Sequence, residues 1–464
     1  MSRGISVVPE FSMKTQALSP FPSALEPLPL RYNREGYSAI SENPFLTVSQ
    51  NPLSTFSIDV DAASYSNIRR FINSNQLPPI DAVRLEEMIN YFTYEYPEPT
   101  GDNPFSITSE VSEAPWNRDN RLVQIGLQGR KISNDSLPPS NLVFLIDVSG
   151  SMSSPDKLPL LKSAFRMLVN ELRPEDRVAI VVYAGAAGMV LPSTPSSHKS
   201  QILDVLDHLT AGGSTAGGAG INLAYDIAHE HFEEDGNNRV ILATDGDFNV
   251  GVSSDSELVR LIESKRKERI FLTVLGFGTG NLQDAKMEQL ADKGNGNYAY
   301  IDNVREARKV LVNEMGGTLH TIAKDVKIQI EFNPGQVQAY RLIGYENRIL
   351  AKEDFNDDRK DAGELGAGHT VTALYEVVPR GGEGPSTSVD SLKYQTTEIR
   401  SGAYTSAEMM TVKMRFKRPG VERSEAIELL VSDIQLDLKS TTENFRFASA
   451  VAEFGLLLRK SDYL

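Results

Sequence analysis

Apolar and polar positions change their period several times along the chain, and each change marks a candidate element. Residues 1–52 are rich in Ser, Pro and Asn without a sustained period and read as an irregular leader. Residues 53–100 form a small N-terminal helical segment with two helical patterns, "AASYSNIRRFINSN" and "AVRLEEMINYF". Pro78 and Pro79 separate them, and Asp61 and Asp81 are their expected N-caps. From Phe105 to Lys131 the pattern turns to alternation, as in "FSITSEV" and "RLVQIGLQG", which predicts strands within 101–138.

From Asn141 short β-branched runs alternate with helical stretches, the signature of a parallel sheet covered on both faces. The predicted strands are "NLVFLIDV", "RVAIVVYAG", "GMVLPST", "NRVILATDG", "IFLTVLGFG" and "NYAYID". "GMVLPST" follows its predecessor too closely for a crossover and is expected as an antiparallel edge hairpin. The doubly wound, mostly parallel α/β domain spans 139–322 and closes with a helix over 303–322. Alternating runs return at 323–440 as an antiparallel β-sandwich that strands 101–138 are expected to complete, making the α/β domain an insertion. A last helix within 441–464, "NFRFASAVAEFGLLLRK", is expected to reach the early helices.

Length and composition narrow the function. A chain of 464 residues divides into several domains. A formal charge of -15 disfavours nucleic acid or an anionic membrane surface and favours a cation. With no cysteine, disulfides, iron-sulfur clusters and thiolate zinc sites are excluded, so a metal would rest on oxygen ligands or the six histidines. No apolar run is long enough to span a membrane, and no signal peptide is visible.

In an open α/β sheet, ligands gather beyond the carboxyl ends of the strands, where strand order reverses. Asp147 ends the first strand of the domain and leads into Ser149, Gly150 and Ser151; "GGSTAGG" offers Thr215, and "ATDGD" offers Asp245. First and fourth strands side by side would bring Asp147, Ser149, Ser151, Thr215 and Asp245 around one cavity. These hard oxygen ligands suit magnesium foremost, with calcium or manganese also accommodated, and do not suit zinc or copper. Two carboxylates balance a divalent charge without quenching its attraction for an incoming anion.

"DVSGS", "GGST" and "TDG" in this order resemble the metal-ion-dependent adhesion site (MIDAS) of von Willebrand factor type A (VWA) domains. "FSIDVDAASYSNIRRF", "AVRLEEMINYF", "EAPWN", "DAGELGAGHTVTALYEVVP" and "FASAVAEFGLLLR" resemble the flanks of a bacterial group of such proteins. The resemblance implies that the five residues named above are metal ligands, that a partner protein's Glu or Asp completes the coordination, and that the protein is not an enzyme. It also implies a place at the cell envelope, on the periplasmic or extracellular side, although no lipidation cysteine is visible. In the family, shifts of the last helix can couple to affinity.

Rival readings are weaker. "IDVDAAS" imitates a phosphatase nucleophile motif through Asp59 and Asp61, a Mg-dependent alternative, but no parallel sheet follows it. Asp61 is then a helix cap and Asp59 a hydrogen-bonding loop residue. A purely structural envelope protein is the other alternative. His229 and His231 lie at i, i+2 on a helix and read as surface residues. "DFNDDRKDAGELGAG" and "PRGGEGPSTSVDS" read as loops, Trp116 as a packing residue and Asp247 as a rim carboxylate.

Overall fold

The computed structural model describes residues 34–133, 136–213, 217–246, 255–314, 320–382, 399–434 and 436–464. A six-stranded sheet forms the α/β domain, in the order Tyr298–Ile301, Ile270–Phe277, Asn237–Thr244, Ser140–Asp147, Arg177–Ala184 and Ala186–Pro195. The first five run parallel, and the hairpin strand Ala186–Pro195 pairs antiparallel at the edge. Every residue of Ser140–Asp147 and of Asn237–Thr244 is buried, as central parallel strands require.

Alternation along the central strand sorts its side chains to two faces. Leu142, Phe144 and Ile146 pack with Leu161, Phe165 and Leu168 of helix Leu158–Glu171. Val143 and Leu145 pack with Ile221, Ala224 and Ala228 of helix Gly217–Glu230 on the other side. Each fully buried side chain of this size contributes on the order of 1.5–3 kcal/mol.

Two antiparallel sheets form the sandwich. One runs Leu46–Thr47, Val337–Ile343, Thr370–Pro379, Asn117–Gly129 and Phe105–Ala114. The other runs Gly363–Gly366, Thr321–Phe332, Glu408–Lys417 and Glu425–Ser432, with Leu53–Ser57 added beside Thr321–Phe332. Ile328, Ile330 and Phe332 of the second sheet share one core with Val123, Ile125 and Leu127 of the first. The chain leaves the sandwich after Gly129 and re-enters it at Thr321, so the α/β domain is inserted in it.

Helix Glu443–Arg459 is capped by Thr442, whose hydroxyl accepts from Phe445 N at 3.2 Å, and ends where Lys460 turns left-handed at φ 57°. Its buried stripe Phe445, Ala448, Ala452 and Leu456 meets Leu85, Met88 and Ile89 of the early helix Leu85–Asn90. Trp116 packs against the same cluster.

Four predicted elements differ from the sequence reading. Leu53–Ser57, within the segment expected to be helical, is a strand, because Thr321–Phe332 offers it a backbone edge. Leu46–Thr47 of the expected irregular leader likewise pairs with Val337–Ile343. The helix expected over 303–322 comprises Val304–Arg308 and a wider turn Lys309–Asn313, and Thr321 already belongs to a strand. "DFNDDRKDAGELGAG" contains a short turn, Lys352–Asn356, and the strand Gly363–Gly366, so it is more than a solvated loop.

The two expected N-caps are also corrected. Helix Ala63–Asn73 has no side-chain cap; Asp61 instead accepts from Tyr298 N at 2.8 Å. Asp81 lies in the short turn Ile80–Ala82 and accepts from Ile40 N at 3.0 Å. In both cases a distant backbone donor wins over the local helix end. Most of "PRGGEGPSTSVDS" lies outside the described residues.

Candidate metal centre

The two central strands, Ser140–Asp147 and Asn237–Thr244, are neighbours from which the sheet grows in opposite directions, so their carboxyl ends flank the switch point. Asp147 is the last residue of one strand and Asp245 follows the other; both are 0% exposed. Beyond Asp147 the chain runs through Val148 and Ser149 into the turn Gly150–Ser153. Ser149 N donates to Asp147 Oδ1 at 2.8 Å, and the Ser149 and Ser151 hydroxyls are 3.0 Å apart. Thr244 Oγ1 donates to Asp147 Oδ2 at 3.3 Å.

A third segment is tied to this loop by backbone bonds. Gly212 N donates to Val148 O at 2.8 Å, and Gly150 N donates to Gly213 O at 3.1 Å. Thr215 and Asp247 lie outside the described residues. The structure therefore brings together Asp147, Ser149, Ser151 and Asp245 of the sequence-predicted set.

Burial pushes the Asp147 carboxyl up to about 6; hydrogen bonds from Ser149 resist this, and the Asp245 charge adds to it. Burial also pushes Asp245 upward, but hydrogen bonds from Asn281, Lys157 and Ser151 outweigh it and hold the carboxyl below its ordinary range. Two buried carboxylates with two adjacent hydroxyls form an all-oxygen donor set with excess negative charge. That chemistry fits a hard divalent cation.

Sequence reasoning missed Lys157, Asn281 and Thr244. Lys157 Nζ donates to Asp245 Oδ2 at 2.8 Å and to Asn281 Oδ1 at 3.1 Å. Asn281 follows strand Ile270–Phe277, so the rule that sites gather at strand ends could have found it. Lys157 precedes a helix and carries no comparable signal.

Asp59 and Asp61 lie elsewhere, in a buried ion cluster. Asp59 Oδ2 accepts from Arg348 Nε at 3.1 Å and Asp59 Oδ1 from Asp61 N at 3.0 Å, while Arg348 lies 3.6 Å from Asp61. Through Arg348 of the sandwich and Tyr298 N of the α/β domain, the pair contacts both domains. His229 is exposed and His231 half-buried, as a surface pair would be. Among the described residues, no group of three or more His, Asp or Glu side chains is arranged to hold a metal. No helix among them is long and apolar enough to cross a membrane.

Comparison with known proteins agrees with this architecture. The von Willebrand factor type A domain family matches residues 141–313, a family described as von Willebrand factor matches 31–124, and one described as uncharacterized protein YfbK, C-terminal, matches 317–464. Uncharacterized protein YfbK of Escherichia coli (strain K12) is 44% identical over 435 residues, covering 92% of this chain and 75% of the relative. Inter-alpha-trypsin inhibitor heavy chain H4 of Homo sapiens is 30% identical over 182 residues, 37% of this chain and 18% of that protein. The solved von Willebrand factor type A protein from Catenulispora acidiphila is 16% identical with a TM-score of 0.42, covering 71% of this chain and 74% of that one. A sheet-edge site on an inserted α/β domain, flanked by matching N- and C-terminal regions, thus coincides with extensive identity to one relative: the chain belongs to the YfbK family of von Willebrand factor type A domain proteins.

Proposed function

We propose that the protein is a non-enzymatic, metal-dependent binding protein that captures an acidic side chain of a protein partner. Asp147, Ser149, Ser151, Thr215 and Asp245 would hold a divalent cation, Mg2+ foremost. Bound there, the cation supplies an electrophilic coordination position for a partner's Glu or Asp carboxylate. The chain's own groups orient the site: Thr244 and the Ser149 amide fix Asp147, and Asn281 and Lys157 fix Asp245.

The observation that carries this reading is the convergence of two fully buried carboxylates and the Ser149–Ser151 hydroxyl pair at the switch point of the sheet. An envelope location goes with it through the family resemblance, and fractionation of native cells tests that part. The central test is a pull-down from the native source with and without EDTA, alongside Mg2+ titration calorimetry. Asp147→Ala is expected to lose both Mg2+ binding and the EDTA-sensitive partners. Full metal affinity in that variant would sink the site assignment. Partners retained equally with EDTA would favour a purely structural role, and magnesium-dependent phosphate release abolished by Asp59→Asn would favour the enzyme.

A further inference from the structure

Lys157 is a lysine in an unusual place. It is 7% exposed, although an ammonium buried without a partner is costly. The residue is fixed by the helix it precedes: its amide donates to Ser154 O at 3.0 Å, and its carbonyl accepts from Leu161 N at 2.8 Å. From there the side chain reaches across to the end of the fourth strand, where Nζ meets Asp245 Oδ2 at 2.8 Å and Asn281 Oδ1 at 3.1 Å.

The opposite loop is shaped around the lysine stem. Gly278 sits at φ +73°, and a Cβ there would lie 2.3 Å from Cε, 2.4 Å from Cγ and 2.8 Å from Cδ of Lys157. A side chain at 278 would displace the lysine, so this backbone conformation and this close approach both require glycine.

The charge balance gives the arrangement its consequence. At neutral pH the Asp147 and Asp245 carboxylates carry two negative charges, and the buried ammonium cancels one. A divalent cation then leaves the site with one net positive charge instead of neutral. Like charges in a poorly solvated site repel strongly, so the ammonium opposes metal entry. In the metal-free site the same ammonium spares Asp245 the cost of an unpaired buried charge.

We propose that Lys157 is a resident counter-cation of the metal site: it stabilises the metal-free state through Asp245 and weakens divalent-cation binding, so that the loaded site is exchangeable and selective for an anionic ligand. This rests on the metal-site reading above.

The test measures Mg2+ affinity by calorimetry and melting temperature with EDTA and with Mg2+, on the whole chain. Lys157→Met keeps the length of the stem and removes the charge. It is expected to bind Mg2+ about tenfold more tightly than wild type or better, to melt lower in EDTA and to show a larger Mg2+-induced rise. Lys157→Arg, which keeps the charge, is expected to retain weak binding. If Lys157→Met fails to fold, Lys157→Gln keeps a hydrogen-bond donor toward Asp245 and carries the same expectation for affinity. Unchanged or weaker Mg2+ binding in the uncharged variant, with wild type binding Mg2+, overturns the role of Lys157 and leaves the metal site standing. Absence of Mg2+ binding in wild type overturns both.

Discussion

Asp147 and Asp245 are buried with hydrogen-bonding partners at the ends of two central strands, while Glu86 shows burial at a cost. Glu86 lies in the early helix Leu85–Asn90, fully enclosed, and accepts from Tyr345 N at 3.0 Å. Burial pushes its carboxyl up to about 8, the nearby Glu346 charge adds to this, and Arg459 opposes it. The folded state therefore holds a proton that the unfolded state, with an ordinary value of 4.5, has lost. Between those two values the folded protein binds more protons, so stability falls as pH rises through the window, and the full cost is present above about 8. Glu86→Gln, which still accepts from Tyr345 N, is expected to gain melting temperature over wild type by an amount that grows from about pH 5 to about pH 8.5. A gain constant across that range would exclude titration of Glu86 as its source.

At the scale of elements, the C-terminal helix shows how one small residue permits a close crossing. Gly455 faces the early helix so tightly that a Cβ would lie 2.3 Å from Leu85 Cδ2 and 3.0 Å from Met88 Sδ. Glycine inside a helix costs about 1 kcal/mol of propensity relative to alanine, so on propensity alone Gly455→Ala should stabilise. Overpacking a well-filled contact costs about 1–3 kcal/mol and wins here, because the obstructing atoms belong to two buried side chains. Chemical denaturation of Gly455→Ala is expected to give a lower midpoint with an unchanged slope; a raised midpoint would mean that the helices separate without loss. The apolar spacing of "NFRFASAVAEFGLLLR" predicts the helix, but the partner across Gly455 comes from a segment more than 360 residues earlier.

For the whole molecule, arginines link the α/β domain to its flanks, Arg84 and Arg348 buried and Arg69 half-buried. Arg348 of the sandwich binds Asp59 and Asp61 of the segment before the first helix and Asp292 of helix Asp284–Lys293. Arg84 pairs with Glu87 and Asp284. Arg69 donates through Nε to Asp302 at 2.9 Å, and its salt bridge to Glu306, at the start of the last helix of the α/β domain, is 2.7 Å long. Removing one partner of a buried ionic cluster strands the others and costs about 3–5 kcal/mol. Wild type is therefore expected to melt in one calorimetric transition and Arg348→Met in two, with the first at lower temperature. A single, unshifted transition in the variant would show that the domains are stabilised independently of this cluster.

Local pattern determined the α/β class, the antiparallel sandwich and the positions of Asp147 and Asp245 at strand ends, because side-chain period and loop spacing are properties of neighbouring residues. Tertiary structure decided what pairs across distance. The Leu53–Ser57 segment is a strand because Thr321–Phe332 presents unpaired backbone groups, and Asp61 leaves its helix end because Tyr298 N and Arg348 compete for it. The ammonium on Asp245 was equally hidden: Lys157 is 88 residues away, and no period or motif links the two. Sequence alone thus determined which groups could carry the site's negative charge, whereas only the folded chain decided which of them already has a counter-ion, since a charge is neutralised by whatever packing brings within hydrogen-bonding distance.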